Sequence, residues 1–187
     1  AHEGSPAAPS ALAPQSSLSA STGVEHSSVD SAVAAATRAQ SQFQDLGLEA
    51  RRAIIRAMRK AAIANAERLA RLAREETGLG RVEDKIQKNL ICATRTPGVE
   101  DLTSRAYTGD QGLTLVEYGP YGVVGAVTPS TNPAATIINN SISILSAGNA
   151  VVFAPHPASM KCCALTMKIL QDAASSAGAP RGLITTV

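Results

Sequence analysis

Two short loops in the second half of the chain carry the side chains best suited to chemistry. The first is Thr128-Pro129-Ser130-Thr131-Asn132-Pro133, and the second is Pro155-His156-Pro157-Ala158-Ser159. Each follows a run of apolar residues typical of a buried strand and precedes a segment with helical spacing. Ligands of open parallel sheets bind beyond the carboxyl ends of the strands, so both loops are candidate site segments.

The first loop offers two candidate oxyanion donors, Thr131 and Asn132. It leads into a helix N-terminus, where free N–H groups and the helix dipole favour negative charge. An Asn amide or a backbone N–H placed there can stabilise a developing oxyanion. Alternatively, either side chain simply caps the helix that begins near Pro133. The residues alone leave both interpretations open.

The second loop holds His156 between two prolines, which fix its backbone. The imidazole could contact a phosphate or an adenine, or it could be a partly buried structural histidine. No glycine-rich phosphate loop follows Val127, so a dinucleotide would have to be held in another way.

The three cysteines, Cys92, Cys162 and Cys163, fit neither a disulfide framework nor a zinc site, and we predict no metal. Cys162 and Cys163 fall in the first turn of a predicted helix, where a thiolate would be stabilised. A nucleophile also needs a base, and none is evident nearby. We therefore interpret these two as structural thiols and Cys92 as packed core.

Three helices are predicted ahead of the strands. The first spans about 29–46 and is capped by Ser28. The second ends at Gly78. Its apolar stripe consists of Ile55, Met58, Ala62, Ala66, Leu69 and Ala73. The third spans 82–93. Its buried seam would consist of Val82, Ile86 and Leu90.

The pattern then changes to strands. Alternation over 113–118 predicts one strand. Continuous apolar runs predict further strands buried on both faces. From residue 123 the order is strand, helix, strand, helix, strand, at about 123–127, 133–147, 150–154, 159–177 and 183–187.

This order predicts an α/β fold with a parallel, doubly wound, Rossmann-like sheet behind an N-terminal helical layer. The last strand lacks a following helix, which would leave one face and one edge uncovered. We therefore expect a truncated fold.

The composition narrows the classes of function. The 187 residues, 44% of them hydrophobic, suffice for one domain with a core, and no apolar run reaches bilayer length, so no membrane is predicted. A net charge of +2 and 3% aromatic residues argue against a nucleic-acid partner. The basic residues of 51–74 are typical of a solvated helix face. Residues 1–22 are rich in Ala, Ser and Pro, which predicts a flexible linker.

The stretch YGPYGVVGAVTP at 118–129 resembles a strand-and-loop motif of the aldehyde dehydrogenase superfamily, P-x-G-V-x-G-x-x-x-P. Segments that resemble its CoA-acylating branch are 130–133, 137–141 and 147–157. Segments similar to the propionaldehyde and acetaldehyde dehydrogenases of bacterial microcompartments are 78–85 and 96–102. The resemblance runs from about residue 24 to the end of the chain.

This resemblance implies an oxidoreductase that converts a short-chain aldehyde, coenzyme A and NAD+ to acyl-CoA and NADH through a cysteine thioester. The same resemblance gives the expected cofactor-binding residues as Thr128, Pro129, Ser130, Thr131, Pro155, His156 and Pro157. The oxyanion position of hydrolytic members falls on Thr131, with Asn132 next to it, and either can take the role. The family's nucleophilic cysteine lies beyond residue 187, so we expect this chain alone to be inactive.

The resemblance also bears on organisation. Residues 23–187 would be the N-terminal part of the NAD/CoA-binding domain, with 113–118 near the oligomerisation strands and the catalytic domain absent. It implies a homo-oligomer in the cytoplasm or inside a microcompartment, with shell proteins as partners. The alternative is a non-catalytic fragment that keeps only nucleotide binding or assembly contacts.

Overall fold

The computed structural model describes residues 24–187, and the predicted linker at 1–22 lies outside them. The helical layer comprises α1 Val29–Gln44, α2 Leu48–Ala64, α3 Ala66–Thr77 and α4 Val82–Arg95. A hairpin of β1 Arg105–Gly109 and β2 Gly112–Val116 follows. The rest is β3 Val123–Thr128, α5 Pro133–Ser146, β4 Ala150–Pro155, α6 Met160–Ser176 and β5 Ile184–Thr186. Within 24–187, no helix has the length and apolar character needed to cross a bilayer.

The main sheet is parallel, with strand order β3-β4-β5. Helices α5 and α6 pack against each other and against the strands, while α1 contacts all three strands. The central strand β4 is buried from Ala150 to Phe153, which explains its continuous apolar sequence. The predicted doubly wound α/β fold is confirmed.

The outer edge of β5 is paired. The backbone N–H of His26 donates to the carbonyl of Thr186 over 2.9 Å, and the N–H of Thr186 donates to the carbonyl of Val24 over 2.8 Å. The prediction of an uncovered edge and face at the last strand was therefore wrong. The segment before α1 folds back onto the edge, and α1 itself covers the face.

The opposite edge strand, β3, is more open than predicted. Ala126 and Thr128 are buried, but Gly125 is exposed and Val127 is 85% exposed. Among the strands of residues 24–187, β3 pairs with β4 alone. The expectation of burial on both faces was wrong for this strand, because the side that carries Gly125 and Val127 is exposed within residues 24–187.

The predicted long second helix is two helices that meet at Asn65. The backbone of Asn65 leaves helical geometry, and its Nδ2 donates to the carbonyl of Ala61 over 2.9 Å. A short polar side chain that bonds the preceding turn competes with the backbone ladder. The predicted end at Gly78 is confirmed by its left-handed φ of 69°.

Helix α4 buries a different face from the predicted seam. The buried residues are Lys85, Asn89 and Ala93. The residues of the predicted seam, Val82, Ile86 and Leu90, are only half-buried. Asn89 is satisfied inside the protein, since its Nδ2 donates to the carbonyl of Ala66 over 3.0 Å. The seam prediction was wrong because it counted apolar residues only.

Two arginines of the predicted solvated face turn inward. Arg59 donates to the carbonyls of Ala93 over 2.9 Å and Thr96 over 2.6 Å, which caps the end of α4. The guanidinium carbon of Arg51 lies 5.4 Å from the centroid of the Phe43 ring. The prediction of a uniformly solvated face was wrong for these two side chains.

The predicted strand at 113–118 is β2, and it pairs with β1, which was not predicted. The two strands are antiparallel, with Arg105 opposite Val116. Every residue of both strands is exposed. The placement of this hairpin near oligomerisation strands stays a prediction.

Candidate functional site

The two predicted site loops lie side by side at the carboxyl edge of the sheet. Thr128 is opposite Pro155 in the parallel pairing of β3 with β4. Just beyond this pair, the backbone N–H of His156 donates to the carbonyl of Thr128 over 3.2 Å. The fold therefore brings the loop at 128–133 against the loop at 155–159.

The candidate residues of these loops differ in accessibility. Thr128 is buried, with its Oγ1 3.9 Å from the Sγ atom of Cys163. Ser130, Asn132 and Pro155 are half-buried. The exposed candidates are Pro129, Thr131, His156 and Pro157. Most of the predicted cofactor-binding set can thus be reached from solvent, while the Thr128 side chain belongs to the interior.

His156 shapes its own loop. Its imidazole is exposed rather than partly buried, and its Nδ1 accepts a hydrogen bond of 3.1 Å from the backbone N–H of Ala158. In a neutral imidazole an accepting Nδ1 leaves the proton on Nε2. His156 therefore caps the short 3-10 turn at 157–159 and keeps Nε2 as a donor.

Asn132 stands at the N-cap position of α5 without a side-chain capping bond. Its Oδ1 instead accepts from the Nζ of Lys88 over 3.1 Å. Its Nδ2 donates to the Oγ1 of Thr131 over 3.3 Å. The Asn132 side chain therefore does not cap α5, contrary to the alternative interpretation, and bonds to Lys88 and Thr131 instead.

A second lysine of α4 holds the same loop. Lys85 is 5% exposed, and its Nζ donates to the carbonyl of Thr131 over 2.8 Å. Desolvation by burial lowers the pKa of the Lys85 ammonium. Sequence reasoning missed both lysines, because nothing in the pattern of α4 distinguishes Lys85 and Lys88 from solvated side chains.

The N-terminus of α6 is already occupied by a carboxylate. Glu76, in the last turn of α3, accepts from the backbone N–H of Lys161 at Oε1 and of Cys162 at Oε2, each over 2.8 Å. Free N–H groups at a helix N-terminus commonly bind phosphate. Here a bound anion would have to displace Glu76, so α6 does not present an open phosphate site.

The cysteine thiols are poor nucleophiles. Cys162 and Cys163 are fully buried. Burial raises the pKa of the Cys162 thiol to about 12 and also raises the pKa of Cys163. Cys92 is half-buried against the core, and burial raises its pKa too. The structural interpretation of these thiols agrees with their surroundings. Among residues 24–187, no three metal-ligating side chains cluster.

Two grooves open near the loops. One, of about 310 Å³, lies between α4 and α5 beside Asn132. Its walls include Cys92, Ala135, Thr136 and Asn139. The other, of about 350 Å³, lies at the carboxyl ends of β4 and β5. Its walls include His26, Pro155, Met160, Lys161, Met167 and Thr186. We call them the amide groove and the sheet-end groove.

His26 is a candidate that sequence reasoning did not assign. Its Nε2 is buried and has no hydrogen-bond partner within residues 24–187. Buried polar atoms are normally satisfied, so this unpaired ring nitrogen singles out His26 among the residues that line the sheet-end groove. No sequence signal could have found it, since only the distant pairing with Thr186 brings it to the groove.

Comparisons with known proteins extend this description. The model of the aldehyde dehydrogenase family matches residues 12–187. The acetylating acetaldehyde dehydrogenase of Salmonella typhimurium is 52% identical over 160 residues, which cover 86% of this chain and 34% of that protein.

Two solved structures are similar over most of the chain. A propionaldehyde dehydrogenase from the fucose utilisation microcompartment of Clostridium phytofermentans has a TM-score of 0.85 at 47% identity and covers 88% of this chain and 38% of its own. The propionaldehyde dehydrogenase of Rhodopseudomonas palustris, with bound propionyl-CoA, has a TM-score of 0.86 at 44% identity. The match covers 89% of this chain and 37% of that one.

The chain spans about a third of the length of the curated relatives it matches. The matched region includes the sheet, both site loops and the helical layer. On the family match and the shared fold, this chain belongs to the aldehyde dehydrogenase family.

Proposed function

We propose that this chain is the N-terminal, cofactor-binding part of a CoA-acylating aldehyde dehydrogenase. The reaction converts a short-chain aldehyde, coenzyme A and NAD+ to acyl-CoA and NADH. The observation that carries the proposal is the hydrogen bond between His156 and Thr128, which brings the two site loops together. It is supported by the 52% identity of this chain to an acetylating enzyme. The thiol nucleophile comes from outside residues 1–187, since the three thiols here are buried or half-buried with raised pKa values.

The sheet-end groove fits the nucleotide portion of NAD+ or coenzyme A. It lies where ligands of parallel sheets bind, and its apolar walls suit a flat base. His26 and Lys161 both line it, and the exposed Lys161 offers a positive charge for phosphate. Pro155 belongs to the predicted cofactor set and lines this groove. We assign His26, Pro155 and Lys161 to cofactor binding, together with the other predicted cofactor residues, which are Thr128, Pro129, Ser130, Thr131, His156 and Pro157.

The amide groove fits a small aldehyde. It begins at Asn132, and its α5 wall consists of small or amide side chains, including Ala135, Thr136 and Asn139. A carbonyl carbon held near Asn132 would place a short alkyl tail in this groove. Either Thr131 or Asn132 takes the oxyanion role. The contacts of the amide favour Asn132, because Lys88 binds its Oδ1 and its Nδ2 group is the donor.

The test is the CoA dependence of NADH formation by the complete enzyme that carries this chain. We expect acetaldehyde or propanal to yield NADH and the matching acyl-CoA, identified by mass spectrometry, only when coenzyme A is present. NADH formation without coenzyme A, with free acid as the product, would identify a hydrolytic dehydrogenase instead. Parallel assays with NADP+ define the nicotinamide preference.

A second candidate function is a non-catalytic nucleotide-binding or assembly module. The sheet-end groove and the fully exposed hairpin favour it, since neither requires a reactive thiol. The intact mass of the natural protein separates the two. A mass near 19.2 kDa favours the module, and calorimetry with NAD+ and with coenzyme A then tests binding.

We further propose that the complete enzyme forms a homo-oligomer and is located in the cytoplasm or in a microcompartment. The hairpin exposes Tyr107, Leu113 and Leu115 by 59% or more, which suits a strand-mediated contact. A similar structure comes from a microcompartment enzyme. Sedimentation of the complete enzyme tests the first proposal. A diffuse distribution of the tagged enzyme in shell-producing cells would count against encapsulation and against shell proteins as partners.

A further inference from the structure

Two lysines of α4 hold two consecutive residues of the site loop. Lys85 and Lys88 are three positions apart and therefore lie on one side of the helix. Lys85 binds the backbone carbonyl of Thr131 over 2.8 Å, and Lys88 binds the side-chain oxygen of Asn132 over 3.1 Å. We call this pair the lysine clamp.

The inner lysine fixes the backbone. The Lys85 residue is 5% exposed and its ammonium is partly buried, so leaving that charge without an acceptor is unfavourable. The carbonyl of Thr131 is its hydrogen-bond acceptor within residues 24–187. Because moving the carbonyl would leave the charge unpaired, Lys85 resists any displacement of the loop just before α5.

The outer lysine fixes the orientation of the amide. A lysine ammonium can donate hydrogen bonds but cannot accept them, so the atom of Asn132 that faces Lys88 must be Oδ1. The Nδ2 group is then turned away from α4. One of its two N–H bonds points to the hydroxyl of Thr131, 3.3 Å away, and the other remains for a ligand.

We propose that the lysine clamp, Lys85 and Lys88, positions the Asn132 amide so that its Nδ2 group donates to the oxyanion formed from the aldehyde carbonyl. The inference rests on the proposed acylating function. Lys88 and Lys85 act through Asn132 and are positioning residues. The clamp also brings positive charge to the side of the amide opposite the oxyanion, which polarises the N–H donors.

The test is a set of variants in the complete enzyme, assayed with saturating NAD+ and coenzyme A. Lys88→Met keeps the length of the side chain but removes the donor, and Lys88→Arg restores a donor. We expect Lys88→Met to lower kcat about tenfold or more and Lys88→Arg to recover most of the loss. The KM values for NAD+ and coenzyme A should not change. Lys60→Met, at an exposed lysine of α2, is the matched control.

A double-mutant cycle distinguishes positioning from general stability. If Lys88 acts through Asn132, then Lys88→Met should lower kcat no further in an Asn132→Ala background. Multiplicative losses would overturn the proposal, as would a wild-type kcat in Lys88→Met. A failure of the proposed function itself is seen earlier and separately, as a wild-type enzyme without CoA-dependent activity. Because Lys88 is exposed, its variants are expected to fold, which thermal melting verifies.

Discussion

The Glu76 carboxylate accepts a 2.8 Å hydrogen bond from the backbone N–H of Cys162. Its other oxygen accepts from the N–H of Lys161. One helix of the N-terminal layer thereby supplies the negative charge that the positive end of α6 favours. The contact joins α3 of the helical layer to α6, the helix that follows the second site loop.

Replacing Glu76 should therefore weaken the fold. Glu76→Gln keeps the shape of the side chain but removes its charge and one acceptor at the helix N-terminus. We expect the free energy of unfolding to fall by about 1–2 kcal/mol, the usual range for a lost helix cap. Urea denaturation measures this difference. Glu75→Gln, at the exposed neighbouring residue, is the control, and equal stabilities of the two variants would contradict the prediction.

The Cys162 thiol should make stability fall at alkaline pH. Desolvation raises its pKa from 9.0 to about 12 in the folded protein, so the folded state keeps a proton that the unfolded state has lost. This contribution is complete below about pH 9 and is lost as the pH rises towards 12. We expect the free energy of unfolding to decline less steeply across this interval in Cys162→Ala. Parallel declines in the two proteins would show that the thiol does not contribute.

Residues 1–187 alone should not oxidise aldehydes. A nucleophilic cysteine must reach the thiolate state at neutral pH, and burial raises the pKa of all three thiols present. Iodoacetamide at pH 8 should modify the half-buried Cys92 first and should reach Cys162 and Cys163 only after unfolding. CoA-dependent NADH formation by the purified chain would refute the prediction.

Asn132 and Thr131 should differ in their effect on turnover. In the complete enzyme, Asn132→Ala removes the clamped amide, and we expect kcat to fall about a hundredfold, as for other oxyanion donors. Thr131→Val keeps the backbone carbonyl that Lys85 binds, so its effect should be several-fold at most. Steady-state kinetics with propanal decides between them. A larger loss in Thr131→Val would assign the oxyanion to Thr131.

Much of the fold was predictable because its signals are local. Apolar runs gave β4 and the order of strands and helices, while Ser28 and Gly78 marked helix ends by their capping geometry. The hairpin strand β1 escaped prediction since both of its faces are exposed, which removes the periodic burial that reveals a strand. The exposed face of β3 was not predictable either, because the sequence of this strand is apolar on both faces.

The site was only partly predictable, and the reason is sequence separation. The two loops followed from a rule about parallel sheets. The lysine clamp could not be predicted, because the acceptor of Lys85 lies 46 positions away along the chain. The periodicity of a helix predicts which of its faces is buried but not which distant residue it contacts. The position of His26 was even less predictable from the sequence, since it depends on pairing with Thr186, 160 positions further along the chain.

The pairing of Val24 and His26 with Thr186 also constrains the order in which the molecule can be assembled. A parallel bridge between nearly the first and nearly the last described residues cannot form until everything between them has been synthesised. Contacts of such long range close slowly. During translation the segment ahead of α1 therefore stays without its partner strand until Thr186 has been synthesised, and the sheet-end groove, which needs both His26 and Thr186, cannot form earlier.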